Sequence, residues 1–170
     1  MKDLFETRRS VRSYKPDHVS EALIDQVIEA GLYAPSGRGT QSAVVVAVTN
    51  ERERADLSRL NAEIMGVSGD PFYGAPVVLV VLADRNVPTH VYDGSLVMGN
   101  MMLKAHELGL GSCWIHRARE EFDSVEGKML LQRWGIEGDY EGIGHCILGY
   151  PAEELPQAAP RKEGRKFYVR

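Results

Sequence analysis

The sequence has little cysteine, no long basic stretch and no long apolar run. Cys113 and Cys146 lie in separate apolar segments without a CxxC spacing, which argues against a disulfide framework or a zinc cluster. We interpret both as small core residues. The formal net charge of -4, together with the lack of a Lys/Arg block, argues against nucleic acid or an anionic membrane surface as the main partner.

No apolar run reaches the length of a membrane span, and Met1 is followed by the charged residues Lys2, Asp3 and Glu6 instead of an apolar signal-peptide core. These absences predict a cytoplasmic protein. The apolar and charged fractions are ordinary for a chain of 170 residues. We therefore expect one compact domain over residues 1–170, with a small molecule as its partner.

Several motifs that carry chemistry are also missing. There is no GxxxxGK[ST] phosphate loop, and Gly109 and Gly111 begin a GxG that lacks the third glycine and the strand-to-helix order of a dinucleotide site. The histidines show no HxH or HxxxH spacing, which argues against a metal centre. Ser36 and Cys113 lack the GxSxG context of an activated nucleophile.

Helical periodicity is clearest from Ser20 to Tyr33, where Ser20 can act as the cap and Val19 can pack onto Ile24. Capping-box spacings predict two further amphipathic helices, Glu51–Leu60 after Asn50 with Glu53, and Ser124–Trp134 after Asp123 with Glu126. The segment Asp93–Leu108 is apolar around most of its circumference, which predicts a buried helix. Such a helix is easier to bury if a second subunit covers part of it, so we expect a homodimer.

Four short apolar segments predict the strands of a central sheet, and their alternation with helices predicts an α/β or α+β sandwich. The stretch Ala152–Pro160 is interpreted as an extended arm that can reach a partner, and the tail Lys166–Arg170 as a possible edge strand. The predicted strands are Ala43–Thr49, Val77–Ala83, Ser112–Ile115 and Gly144–Gly149.

The densest charge feature is the run Arg8-Arg9-Ser10-Val11-Arg12, which follows a short helix candidate. Guanidinium groups bind phosphate bidentately, and the hydroxyl of Ser10 can bind a phosphate or polyol oxygen. The run can therefore hold an anion. Composition alone nevertheless favours a solvated basic turn, so the choice between the two interpretations depends on other motifs.

Three further segments are rich in small residues, which allow the backbone to approach a ligand closely. Each adjoins or contains a predicted strand, and each is compatible with an ordinary loop when taken alone. In chain order they are Ala34–Ser42 (APSGRGTQS), Tyr73–Pro76 (YGAP) and Leu108–Ile115 (LGLGSCWI).

Taken in order, these motifs resemble the nitroreductase family. RRSVR, APSGRGTQ, YGAPVVLVV, NMMLKAHELGLGSCWI, a GY turn and a basic PRK follow the family's order over nearly the whole chain. The resemblance implies an α+β sandwich whose central, mostly antiparallel sheet is flanked by helices. It also implies a homodimer in which the subunits exchange C-terminal arms and build two shared FMN sites.

The resemblance also assigns the cofactor contacts. Arg8 matches the position that holds the FMN phosphate, supported by Arg161 and Lys162 of the arm. Arg12 matches a basic residue beside the flavin N1 and O2, where a positive charge favours the anionic reduced flavin. The other implied contacts are Arg9 and Ser10 at phosphate and ribityl oxygens, Asn61 at the pyrimidine edge, Pro35, Ser36 and Gln41 from the opposite subunit, and the backbone around Trp114, Ile115 and His116 near N5.

Three places depart from the family pattern. Gly39 stands where asparagine is usual, Ser42-Ala43 replaces Pro-Trp, and Ala159 stands where a basic residue is usual. We therefore expect one flavin or substrate contact to be lost or replaced by water. The phosphate would then depend on fewer cations, or on Lys162.

The implied activity is that of an FMN-dependent NAD(P)H oxidoreductase, in which NADH or NADPH reduces the flavin and an electron-poor acceptor such as a nitroaromatic or a quinone reoxidises it in ping-pong order. No catalytic acid or base is assigned, since the cofactor carries the chemistry; His116 is a candidate donor near N5, with packing its preferred role. Two alternatives stay open. One is a store or sensor that binds FMN without turnover, and the other is different flavin chemistry, such as reductive dehalogenation or oxygen-dependent flavin cleavage.

Overall fold

A computed structural model describes residues 3–170 and contains a four-stranded sheet with the strand order β1-β2-β4-β3. Each neighbouring pair of strands is antiparallel. Helices pack on both faces of the sheet, which confirms the predicted α+β sandwich. The strands are β1 (Ala43–Val48), β2 (Val77–Asp84), β3 (Gly111–Ile115) and β4 (Tyr140–Gly149).

The predicted helices agree with the structure to within a few residues, although α3 continues to Met65 instead of ending at Leu60, and α5 was not predicted. Within residues 3–170, none of them combines the length and the apolar character that a bilayer crossing demands. They are α1 (Leu4–Thr7), α2 (Glu21–Leu32), α3 (Glu51–Met65), α4 (His90–Glu107), α5 (Ala118–Asp123) and α6 (Val125–Arg133).

The centre of the core is β2, whose side chains are buried on both faces of the sheet. Its odd-numbered side chains, from Val77 to Ala83, belong to a cluster with α2 and α4. Its even-numbered side chains, from Val78 to Leu82, belong to a cluster with α3, α5 and α6. An uninterrupted apolar run, without polar alternation, is what a strand covered on both faces requires.

The predicted caps are confirmed at one helix and corrected at two. Asn50 caps α3 by accepting hydrogen bonds from two backbone N–H groups of the first turn, at 3.0 and 3.1 Å. Ser20 precedes α2, but its exposed side chain makes no capping hydrogen bond within residues 3–170. Ser124, not Asp123, caps α6 by accepting from the N–H of Gly127 at 3.0 Å, because Asp123 is the last residue of α5.

The buried helix of the prediction is α4, and it is buried on one face only. Val97, Met98 and Met101 lie in the core, whereas the side chains of Tyr92 and Leu96 are 72% and 46% exposed. Apolar groups therefore remain on the outer face of α4. A second subunit that covered this face would remove them from water, which supports the predicted dimer.

The C-terminal arm follows an exposed path without helix or strand from residue 152 to residue 170. Arg9 holds its first part, because Nε of Arg9 donates to the carbonyl of Pro156 at 3.0 Å. The tail Lys166–Arg170 pairs with no strand among residues 3–170. An edge strand is therefore not formed within one chain, and its formation on a second copy stays a prediction.

Candidate functional site

The arginine-rich N-terminal run lies along the sheet edge beside β3. Ser10 forms a parallel bridge with Ser112, and the backbone N–H of Val11 donates to the carbonyl of Ser112 at 2.9 Å. The buried side chain of Val11 anchors the run. Parallel pairing brings Arg12 alongside Trp114, and both residues line one cleft. The two ends of the run consequently face different surroundings.

At the first end, Arg8 has a buried guanidinium nitrogen, Nη1, that has no hydrogen-bond partner within residues 3–170. A buried cationic donor without a partner is unfavourable, and an anionic oxygen would satisfy it. Arg9 stands next to it and ties the C-terminal arm to the same place through Pro156. This end of the run therefore fits the phosphate of FMN.

The charges at this end of the run act on His106, which lies in the last turn of α4. Its Nε2 lies 2.7 Å from the hydroxyl of Thr7. Burial, followed by the charges of Arg8 and Arg9, lowers the pKa of His106 below its ordinary value. The imidazole is consequently neutral at neutral pH, which leaves the two guanidinium groups as the neighbouring cations for an anion.

Arg161 and Lys162 lie on the exposed part of the arm. The guanidinium of Arg161 donates to the carbonyl of Ala159 at 2.6 Å, and within residues 3–170 it makes no hydrogen bond to the run. Ala159, which replaces a basic residue of the family, thus supplies a carbonyl to its neighbour. The contact of Arg161 and Lys162 with the phosphate stays a prediction.

The second end of the run opens onto a cleft of about 340 Å³ beside β3. The Cζ of Arg12 lies 6.0 Å from the centroid of the Tyr73 ring. A Cβ on Gly144 would come within 2.4 Å of Nε1 of Trp114, so the glycine allows the indole to lie against β4. Aromatic walls and a cation suit a flat aromatic ring. The predicted residues in this cleft are Arg12, Trp114, Ile115 and His116.

Asn61 lies behind the wall of this cleft instead of inside it, and its side chain is fully buried. Its Nδ2 donates to the carbonyl of His116 at 2.9 Å and to the carboxylate of Glu121, while its Oδ1 accepts from Nε of Arg117 at 3.0 Å. Both N–H groups of the amide and one acceptor site of Oδ1 are therefore used within the chain. Within residues 3–170, Asn61 is not among the residues that line this cleft, and its contact with the flavin pyrimidine edge stays a prediction.

Glu121 and His145 form a buried pair that no sequence motif indicated. Both side chains are completely buried, and Oε2 of Glu121 lies 2.9 Å from Nε2 of His145, close but not aligned as a hydrogen bond. The rings of Phe72 and Phe122 flank the imidazole, with centroids 5.2 and 6.1 Å away. The pair exists because α5 packs on β4, a contact between distant parts of the sequence that local patterns do not reveal.

The loop 35–42 is held by the buried carboxylate of Asp93 in α4. Asp93 accepts from the backbone N–H of Gly37 at 2.9 Å and from the hydroxyls of Ser42 and Thr89 at 2.8 and 3.0 Å. A Cβ on Gly37 would lie 2.3 Å from Oγ1 of Thr89, so this approach requires glycine. Ser42, which departs from the family's proline, thus has a role in fixing the loop.

The charge of Asp93 is stabilised by these bonds. Burial raises the pKa of Asp93, but the hydrogen bonds from Gly37, Ser42, Thr89 and Thr40 together outweigh burial and bring the pKa below the ordinary aspartate value. The carboxylate is consequently ionised at neutral pH, and each of its donors is fixed by a charged acceptor.

Pro35, Ser36 and Gln41 line a smaller cleft of about 110 Å³ beside this loop. The backbone N–H of Gln41 donates to Oγ of Ser36 at 3.0 Å, and Gln41 has a φ of 48°, a left-handed conformation uncommon outside glycine. Within residues 3–170, none of the three lines the cleft at Arg12. One chain therefore carries the two predicted sets of contacts on separate surfaces, as a site shared between subunits requires.

A larger cleft of about 690 Å³ lies between α6 and the start of β4, and it contains none of the predicted site residues. Its one arginine, Arg85, contacts the carboxylates of Asp123 and Glu141, the latter at 3.0 Å. Because these carboxylates already neutralise the guanidinium, this cleft offers a weaker setting for an anionic cofactor than the arginine-rich run does.

Known proteins are similar to this chain in sequence and in fold. The sequence pattern of the nitroreductase family matches residues 5–72 and 61–150. A nitroreductase with bound FMN from Bacteroides fragilis NCTC 9343 is 27% identical and superimposes with a TM-score of 0.86 over 100% of both chains. A protein of Methanothermobacter thermautotrophicus, provisionally named NADH dehydrogenase/NAD(P)H nitroreductase, is 30% identical over 89% of this chain and 77% of its own. FMN reductase (NAD(P)H) of Bacillus subtilis is 26% identical over 89% of this chain and 68% of its own.

A buried guanidinium nitrogen at one end and an aromatic cleft at the other are typical of a protein that binds a phosphorylated cofactor with a flat ring. Within that class, the chain belongs to the nitroreductase family. The family pattern covers residues 5–150 in two overlapping parts, and a relative at 30% identity spans most of both chains. The family predicted from the ordered motifs is therefore confirmed.

Proposed function

We propose that this chain is an FMN-dependent NAD(P)H oxidoreductase that reduces small electron-poor acceptors, such as nitroaromatics or quinones, in ping-pong order. The observation that carries the proposal is the continuous run from Arg8 to Arg12. It presents a buried guanidinium nitrogen without a partner at one end and a cation in an aromatic cleft at the other. A phosphate and a redox-active ring are the two parts of FMN that match these ends.

The residues of the chain bind FMN, orient it and favour its reduced state. Arg8 holds the phosphate, and Arg12 places a positive charge where it favours the more negative, reduced state of the ring. The backbone from Trp114 to His116 supplies one wall of the cleft. FMN, when bound, supplies the chemistry by accepting a hydride from NADH or NADPH and passing electrons to the acceptor.

The proposal includes a homodimer with two shared sites and exchanged C-terminal arms. Three features of one chain support it: the separate clefts at Arg12 and at Pro35, the exposed apolar face of α4, and the extended arm that carries Arg161. It also includes a single domain over residues 1–170 and a cytoplasmic location. Sedimentation of the flavin-loaded protein measures the oligomeric state, and a stable, flavin-loaded monomer would contradict the shared site.

An anaerobic titration tests the activity. Purified protein should be yellow, lose its flavin absorbance on addition of NADH or NADPH, and regain it when a nitroaromatic or a quinone is added. Protein that binds FMN but is not reduced by either nicotinamide would instead be a store or a sensor. Colourless protein that cannot be reconstituted with FMN would contradict every function that depends on flavin.

A further inference from the structure

A chain of polar contacts leads from the cleft at Arg12 into the core, and its outermost member is Arg117. We infer that Arg117 is a specificity-determining residue that binds the carboxylate of an anionic aromatic acceptor, and that Asn61, Glu121 and His145 are positioning residues that hold it. The inference rests on the proposed function, because the acceptor must lie in the cleft that Arg117 lines together with Trp114.

The backbone at Arg117 is unusual, since its φ of 80° is in the left-handed region that favours glycine. A residue other than glycine persists there only when its surroundings fix it. Nε of Arg117 donates to Oδ1 of Asn61 at 3.0 Å, which fixes the inner side of the guanidinium. Within residues 3–170, Nε is the one nitrogen of the Arg117 guanidinium that has a hydrogen-bond or ion-pair partner, and Arg117 lines the cleft, so its two outer nitrogens are available to an anion there.

The support behind Arg117 is built entirely from buried groups. Asn61, Glu121 and His145 are all 0% exposed. Nδ2 of Asn61 donates both to Glu121 and to the carbonyl of His116, so one amide fixes the turn and the arginine together. Burying a carboxylate and an imidazole is unfavourable unless they are paired. The groups that this costly pair orients, through Asn61, are the turn at His116 and Arg117.

The charges around the cleft favour an anion. Arg12 and Arg117 are both among its lining residues, and the carboxylate there is that of Asp70. Asp70 is occupied by its own loop, because it accepts from the backbone N–H groups of Phe72 and Gly74 at 2.8 Å each and contacts Arg54 at 3.4 Å. The cleft is therefore cationic. A guanidinium matches the fork of a carboxylate, so an aromatic ring that carries a carboxylate combines the two recognition elements.

Benzoate and benzamide are matched probes, since they share a ring and differ in charge. Their dissociation constants are measured on FMN-loaded protein from the change in flavin absorbance. We expect benzoate to bind more tightly than benzamide, and Arg117→Gln to weaken benzoate binding by about tenfold or more with little effect on benzamide. Arg117→Lys should restore part of the preference. The control Arg119→Gln removes an equal charge from the exposed start of α5 and should change benzoate binding by less than about twofold.

The positioning role has its own readout. Glu121→Gln should reduce the preference for benzoate in the wild-type background and have no further effect when Arg117 is already glutamine. An equal effect in both backgrounds would overturn the positioning role. If Glu121→Gln does not fold, Asn61→Ser, which removes the bond to Nε, replaces it in the same cycle. FMN-loaded Arg117→Gln with an unchanged preference would overturn the inference and leave the proposed function intact, whereas failure of the wild-type protein to take up FMN would overturn both.

Discussion

The two surfaces that the proposed site combines are each organised by one buried carboxylate, but the two carboxylates are satisfied differently. Asp93 accepts from uncharged donors, one backbone N–H and several hydroxyls, most of them from the loop it holds or beside it. Glu121 faces the imidazole of His145 and the amide of Asn61, which belong to distant elements. The loop is thus fixed largely by its own sequence, whereas the cleft wall depends on the packing of α3, α5 and β4.

The comparison implies different vulnerabilities. Asp93 can lose one hydroxyl and keep its other donors, so its support is divided among several weak contributions. Glu121 and His145 are buried against each other, so the loss of either one leaves the other buried without its neighbour. We therefore expect single substitutions to damage the cleft wall more than the loop.

The largest expected effect is that of Glu121→Ala. It removes the carboxylate beside the buried imidazole of His145 and leaves one donor of Asn61 buried without a partner, so the free energy of unfolding should fall by about 3–5 kcal/mol in urea denaturation. Glu120→Ala, at the adjacent exposed position of α5, should change the free energy of unfolding by less than about 0.5 kcal/mol. Similar losses in the two variants would contradict the difference between buried pair and exposed neighbour.

Asp93→Asn should lower the free energy of unfolding by about 2 kcal/mol at neutral pH, because the amide places donors against the donors of the loop. Since the pKa of Asp93 is lowered in the folded protein, its ionised form stabilises the fold above the ordinary aspartate pKa. That stabilisation disappears as the pH falls through the folded-state pKa. The stability difference between wild type and Asp93→Asn should therefore shrink below about pH 4, and a difference that grew in acid would refute this assignment.

The two ends of the arginine-rich run should affect bound FMN in different ways. Arg8→Ala should weaken FMN binding by about 1–3 kcal/mol, measured by titration of flavin fluorescence, because a charge-assisted bond to the phosphate is lost. Arg12→Gln should instead lower the flavin reduction potential, measured by anaerobic dye equilibration, because a positive charge beside the ring is removed. Unchanged FMN affinity in Arg8→Ala would show that the phosphate lies elsewhere.

The smallest expected effect belongs to a single hydroxyl of the loop. Ser42→Ala removes the 2.8 Å bond to Asp93, and it should lower the free energy of unfolding by about 1 kcal/mol because the other donors remain. Ser20→Ala is the matched control, since that hydroxyl makes no capping bond within residues 3–170. A loss at Ser42 as large as that at Asp93 would mean that the donors are not independent.

Helices and strands were predictable where a local sequence pattern marks them. The apolar run of β2 and the cap at Asn50 are local patterns, and the structure follows both. The first part of β4 was missed because Tyr140, Glu141 and Gly142 interrupt the apolar run, and an additional residue of β4, opposite Val81 and Leu82 of β2, shifts the register there. The cap of α6 was displaced by one residue because α5 ends at Asp123.

The motifs predicted which residues belong to the site, but not the buried contacts that hold those residues in place. The resemblance assigned Arg8, Arg12 and Trp114 to positions whose surroundings suit the roles proposed for them. It also assigned Asn61 to the flavin, while the structure engages the Asn61 amide with Glu121 and Arg117. Those partners come from a different element than Asn61, and a pattern read along the chain carries no information about such contacts.

The separation of the two clefts on one chain has a genetic consequence. If each complete site draws its arginine-rich run from one copy and its loop from the other, a variant defective at Arg8 and a variant defective at Asp93 lack different halves. When both are made in one cell, half of the possible sites in a mixed pair regain all their parts. Two alleles that are inactive alone should therefore complement each other within the same gene, as alleles of a self-contained site do not.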